Sequence, residues 1–156
     1  MRLLFYSLLL LFVSACNNDV LLFTPLPAEA TGINFNNAIE ENDQLNMINY
    51  QYLYNGGGVG IGDFNNDSLP DIYFTGTIKG NKLYLNKGNF KFEDVTVAAG
   101  VEGQTKWCRG ASVVDINNDG LLDIYVCAAA WQTAELRKNI FYINQGVDPV
   151  TKVPRF

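Results

Sequence analysis

The chain has no histidine and only three cysteines, and nowhere does it hold about twenty consecutive apolar residues. Without histidine it lacks the side chain most often used for proton transfer near neutral pH and for holding transition metals. It also shows no nucleophile motif and no glycine-rich phosphate loop, so an enzymatic reading finds little to hold. Basic residues are in the minority, 11 against 16 acidic, for a net charge of −5. That balance argues against a nucleic-acid surface, which needs clustered Lys and Arg to neutralise phosphates. The longest apolar stretch, "LLFYSLLLLFV" from Leu3 to Val13, has eleven residues, against the roughly 20 needed to span a bilayer.

That stretch follows Arg2 and suits the apolar core of a secretory signal. It is followed by "VSAC", Val13 to Cys16. This resembles the lipobox of bacterial lipoproteins, in which the peptide is cut before the cysteine and the new terminal residue carries lipid. The resemblance implies a signal peptide over 1–15, lipidation of Cys16 and a lipidated tether over 16–30. The expected location is the outer membrane, facing the periplasm or the surface, with membrane contact through the lipid alone. Several acyl chains anchor stably because each buried methylene contributes about 0.8 kcal/mol. The plainer alternative is an unlipidated signal peptide followed by a chance cysteine. The segment from Asn17 to Ala30 holds two prolines and reads as a partly extended spacer.

Beyond the tether the sequence repeats itself. "DFNNDSLPDIY" from Asp63 and "DINNDGLLDIY" from Asp115 are 52 residues apart and identical at eight of eleven positions. "NKLYLNKG" and "NIFYINQG" match 58 residues apart, so the second copy carries six extra residues within "AAAWQTAELRK". Val59 and Ile61 alternate with glycines before the first loop. "DIYFTG", "KLYL" and "FKF" follow it with β-branched and aromatic residues between turn formers. Each unit therefore reads as about four short antiparallel strands, and a period near 50 with glycine-rich turns suits a β-propeller blade.

The stretches "GGGVGIGDFNNDSLPDIYFTG" and "RGASVVDINNDGLLDIYVCAA" are similar to FG-GAP, or VCBS, repeats, the blades of integrin-α-like propellers. The lead-in from Thr31 and "FEDVTVAAGV" are also similar to the start of large bacterial VCBS lipoproteins, some of which carry an ASPIC/UnbV domain. Nothing in this chain resembles that domain. The resemblance implies an all-β protein with a lead-in strand and loop over 31–56, blade 1 over 57–109 and an incomplete blade 2 over 110–156. Two blades cannot close a ring, so the expectation is either the N-terminal part of a larger, seven-bladed propeller whose remaining blades are its first partners, or a truncated gene product.

Three carboxylates in a nine-residue turn repel one another unless a cation sits between them. The D-x-N-x-D spacing matches the first half of an EF-hand loop, and calcium accepts six to eight oxygens in loose geometry. The expected ligands are Asp63, Asn65, Asp67, the Leu69 carbonyl and Asp71, then Asp115, Asn117, Asp119, the Leu121 carbonyl and Asp123. The role of the ninth-position aspartate is implied by the FG-GAP resemblance. Asp, Asn and Gly also serve as plain turn formers. Position six is Gly120 in the second loop but Ser68 in the first, so the first site is expected to be the weaker.

A hairpin symmetric about Asp119 sets Cys127 opposite Ala111 and Cys108 opposite Ala130. That register puts the two thiols on opposite faces and predicts two buried free cysteines, not a disulfide. Trp107 and Trp131 could form a carbohydrate-stacking platform, but Trp107 reads better as inter-blade packing. Trp131, in the six-residue excursion, reads as a loop anchor or a ligand contact, and "TAELRK" beside it as a helical turn. Glu40, Glu41 and Asp43 read as a solvated loop. The function expected is a calcium-stabilised, non-enzymatic scaffold for adhesion to an extracellular protein or glycan. The alternative is the first part of a secreted, polysaccharide-acting propeller enzyme whose catalytic residues lie elsewhere.

Overall fold

The computed structural model describes residues 22–103, 106–129 and 133–156. The expected signal segment, Cys16 and Trp131 lie outside those residues. No helix among the described residues is long and apolar enough to cross a membrane.

Two antiparallel sheets carry the chain. The first has strands β1 (Val59–Gly62), β2 (Asp71–Phe74), β3 (Lys82–Asn86) and β4 (Phe92–Asp94), hydrogen-bonded in sequence order. The second has β5 (Cys108–Val114), β6 (Asp123–Ala128) and β7 (Ile140–Tyr142). Beyond β7 the described residues form a turn closed on itself. Val147 bridges Pro154, and the Gln145 and Arg155 amides donate to Arg155 and Gly146 carbonyls. β-Branched and aromatic residues favour these strands because they fill a half-buried pleated surface. The β3–β4 turn needs left-handed backbone, supplied by Gly88, Asn89 and Phe90 at φ of 80°, 51° and 57°.

Alternation along the strands decides what the two sheets show each other. Tyr73 pairs with Leu83 and shares a face with Leu85; Ile124 pairs with Tyr142 and shares a face with Val126. Those two faces meet in one apolar core together with Val95, Ala99, Val101 and Cys108. Glycine makes the approach possible. Gly60 and Gly62 lie on the packed face of β1, where a β-carbon would stand 2.9 Å and 2.8 Å from the Val113 methyls. At Gly58 a β-carbon would stand 2.8 Å from the Gly110 Cα.

Repeat-equivalent residues meet different surroundings. Tyr73 is fully buried between the sheets, whereas its counterpart Tyr125 is 36% exposed on the far face of the second sheet, beside Phe141. The corresponding outer face of the first sheet is covered by the lead-in, where Phe35 stacks on Phe74 at 5.1 Å.

The lead-in itself holds a feature that the sequence did not announce. The helical turn α1 (Ala28–Thr31) ends in Gly32 at φ 82°, and the turn α2 (Thr96–Ala99) ends in Gly100 at φ 75°. After the first, the Asn34 amide donates to the Tyr84 hydroxyl; after the second, the Gly103 amide donates to the equivalent Tyr142 hydroxyl. Residues 28–34 therefore serve the first sheet as 96–103 serve the second. The stretch 31–56 forms no strand. β5 begins two residues before the boundary expected at 110.

The cysteine register needs correcting. The regular ladder runs from Val114 opposite Asp123 to Gly110 opposite Cys127, one residue off symmetry about Asp119, and an irregularity between Cys108 and Gly110 then sets Cys108 opposite Ala128. Both thiols are free, and Cys108 is buried while Cys127 is exposed, not buried as expected. Symmetric counting misplaces the hairpin centre, which lies between Asn118 and Asp119, and cannot see the residue that the bulge adds before Gly110. Trp107 is fully buried, with Tyr50 of the lead-in 5.5 Å from its ring. The expected helical turn in the excursion is a 3-10 turn over Glu135–Arg137.

Candidate functional site

Each acidic loop joins the first two strands of its sheet, and both fold in the same way. In the first, Asp63 Oδ1 accepts from the Asp67 amide at 3.0 Å and Oδ2 from the Ser68 amide at 2.8 Å. Asp67 Oδ1 accepts from the Leu69 amide at 2.9 Å. In the second, Asp115 accepts from the Asp119 and Gly120 amides at 3.1 and 2.9 Å, and Asp119 from Leu121 at 2.9 Å. A short acidic side chain that bonds its own backbone a few residues on is a turn-forming device. Here it coils the loop around its first and fifth residues.

The coil needs positive φ at two places. Asn66 and Asn118 supply 56° and 58°, and asparagine tolerates that region. Ser68 takes φ 68° where Gly120 takes 85°. A left-handed non-glycine residue costs about 1 kcal/mol, so the first loop carries a strain that the second does not.

The ninth-position aspartates are at the buried floor. Asp71 Oδ2 accepts from the Phe64 amide and Oδ1 from the Asn86 amide, at 3.0 and 2.8 Å. Asp123 repeats this with Ile116 and Asn144, at 3.1 and 2.8 Å. The bond from the asparagine closes the loop against the third strand, a role invisible in the spacing of the aspartates alone. Asn144 goes further, because its Nδ2 donates to the Phe64 carbonyl of the other sheet at 2.9 Å as well as to Leu122. The repeated Asn in "LYLNKG" and "FYINQG" was the only sequence signal for it.

Burial raises the Asp71 carboxyl to about 6; the Asn86 and Phe64 amides oppose that rise, and the Asp67 and Asp63 charges add to it. A carboxyl that holds its proton more tightly when folded stabilises the fold below the unfolded value of about 3.9. That contribution is lost as pH rises through about 6. In EDTA, urea unfolding should show stability falling between about pH 4 and 6, by up to about 3 kcal/mol from this group. Asp71→Asn should remove that component of the slope. An identical pH profile in the variant would show that Asp71 is not its source.

The donor set can be tested against a hard cation. Carboxylate and carbonyl oxygens suit calcium, and an oxygen that accepts one amide hydrogen keeps a second lone pair. Asp63, Asp67 and the Leu69 carbonyl share one coil with Asn65, as do Asp115, Asp119 and the Leu121 carbonyl with Asn117. Asn65 Nδ2 donates to Asp67 Oδ2 at 2.9 Å and Asn117 Nδ2 to Asp119 Oδ2 at 2.8 Å. Each Oδ1 in turn accepts from the fifth-position amide at 3.2 Å, so a ligand role would use its second lone pair. Among the described residues no three His, Cys, Asp or Glu side chains gather around a single metal position. The chemistry of the residues fits calcium; their convergence is that of a loop closed by its own amides.

Residues 63–126 match the FG-GAP-like repeat family. The chain is 36% identical over 69 residues to cartilage acidic protein 1 of Mus musculus, covering 44% of this chain and 11% of that protein. It is 35% identical over 72 residues to the Xenopus tropicalis protein of that name, covering 46% and 11%. For the Homo sapiens protein the values are 36% over 72 residues, 46% and 11%. The chain thus spans about a tenth of the length of the curated relatives it matches. With the two antiparallel sheets, the FG-GAP-like repeat makes this an all-β fold built of β-propeller blades, the second of them with three full strands.

Proposed function

We propose that the chain is a calcium-stabilised section of a β-propeller scaffold, borne on an exported lipoprotein and used to bind glycan or protein. The observation that carries this is the duplicated loop, two nine-residue coils with the same hydrogen bonds 52 residues apart. Asp63, Asn65, Asp67, the Leu69 carbonyl and Asp71 would hold one cation, and Asp115, Asn117, Asp119, the Leu121 carbonyl and Asp123 the other. Bound calcium supplies charge neutralisation, and the loops themselves supply closure and orientation. Export and the lipid anchor at Cys16 are supported by the apolar run followed by "VSAC". The further blades of the propeller are its expected structural partners.

With a dissociation constant of about 0.1 mM per loop, millimolar calcium contributes roughly 1.4 kcal/mol for each. For a chain of this size two sites should raise Tm by about 5 to 10 °C over EDTA. Asp119→Ala should remove more of that shift than Asp67→Ala, because the strained Ser68 weakens the first loop. Ser68→Gly should narrow the difference. An unchanged melt from EDTA to millimolar calcium would overturn the metal assignment.

A further inference from the structure

The ends of the sheets away from the acidic loops are bridged by the lead-in. Asn37 exchanges two hydrogen bonds with Thr77 in the loop between β2 and β3, and the Arg109 guanidinium, on β5, donates to the Tyr52 carbonyl at 2.7 Å. Between lead-in and β5 lies an open cavity of about 410 Å³, lined among others by Asn49, Tyr50, Gln51, Tyr52, Trp107 and Arg109. That volume is within the range of small-ligand sites.

Its chemistry is specific. The Arg109 guanidinium stands 5.0 Å over the Trp107 ring, which fixes its plane by cation–π contact. One of its five N–H donors is used, on Tyr52. None of the ion pairs among the described residues includes Arg109. In a protein of net charge −5, a guanidinium held against the Trp107 ring and paired with no carboxylate leaves a local positive site. Around it the donors and acceptors are uncharged. Gln51 is exposed and makes no hydrogen bond among the described residues. Asn49 spends its Nδ2 on the Asp43 and Gln44 carbonyls and keeps its Oδ1. The Tyr52 ring is 66% exposed at the mouth.

We propose that this cavity binds an acidic sugar, a uronate unit of a polysaccharide. Arg109 takes the carboxylate as a planar fork, the Asn49 and Gln51 amides take hydroxyls, and the Tyr52 ring lies against the sugar face. One cation matches one carboxylate, amides match the polyol, and the exposed ring matches the apolar face of a pyranose. This deepens the glycan-binding reading above and rests on it.

Isothermal titration of the 156-residue chain with trigalacturonate and with neutral galactotriose tests the assignment. Trigalacturonate should bind at least tenfold more tightly than galactotriose. Arg109→Gln should abolish that preference while Gln51→Ala weakens both sugars together. Gln51→Ala guards against a folding artefact, since its side chain bears no structural bond; its circular dichroism melt should match the parent. Equal binding of the two sugars, binding of neither, or a preference that survives Arg109→Gln would each overturn the proposal. The calcium-dependent melt is read separately, so loss of the sugar site leaves the scaffold reading standing and loss of the melt shift does not touch the sugar data.

Discussion

Gly60→Val should lower the urea midpoint more than any substitution on the outer face of the same strand, at a cost of about 3 kcal/mol. A β-carbon at position 60 meets Val113 Cγ2 at 2.9 Å and the Ala111 β-carbon at 3.5 Å, and valine adds two methyls beyond it. Forcing extra carbons into a filled interface costs about 1 to 3 kcal/mol, and more where the neighbours cannot retreat. Val113 is held in register with Ile124, and Ile124 is fully buried, so retreat is blocked. On the other face of β1, Ile61 is 64% exposed, and Ile61→Thr should stay within about 0.5 kcal/mol. Because the clash has a named partner, Gly60→Ala should be partly rescued by Val113→Ala, a coupling that a double-mutant cycle reads directly. Additive effects in that cycle would show that the two sheets do not meet at this pair.

The second large effect is expected at Asn144. Asn144→Ala removes the donor that serves the Phe64 and Leu122 carbonyls, in a site where Asn144 and Phe64 are each 1% exposed. A buried acceptor left without a partner costs about 1 to 3 kcal/mol, so two of them should bring the loss to about 3 kcal/mol. The repeat provides its own control. Asn86 occupies the same position in the first sheet, but its Nδ2 donates only to the Pro70 carbonyl, at an exposed site. Asn86→Ala should cost about 1 kcal/mol. Both variants keep the backbone amide that closes the loop onto Asp71 or Asp123, so the difference between them measures the bond between sheets. Equal costs at the two positions would show that the Phe64 carbonyl contributes nothing.

Much of this architecture could be read along the chain. The strands follow from alternation and β-branching, and the two loops follow from the repeated aspartates with positive-φ positions filled by Asn and Gly. The hairpin register was nearly legible too. It failed by one residue because the hairpin is centred between Asn118 and Asp119, and by one more at Cys108, where the irregularity beside Gly110 leaves no mark in composition. Asn144 stood in the repeat, yet its bond to Phe64 crosses 80 residues and depends on how the sheets are set against each other. The lead-in was harder. The turn at 28–31 shares only small residues and a closing glycine with the turn at 96–99, too little for a sequence match, although both settle over equivalent tyrosines.

The sequence by itself determined the local conformations: which residues are extended, where the chain coils, and which side chains share a face. Those choices rest on backbone sterics and on the twofold alternation of a strand, both properties of neighbouring residues. Only the tertiary structure decided which face is covered. Tyr73 and Tyr125 stand at equivalent positions of the repeat, yet one is sealed between sheets and the other stands open; Cys127, expected in the core, shares the open face of Tyr125. Burial belongs to the pair of surfaces that meet, and a repeat writes the same surface twice without saying what lies against each copy.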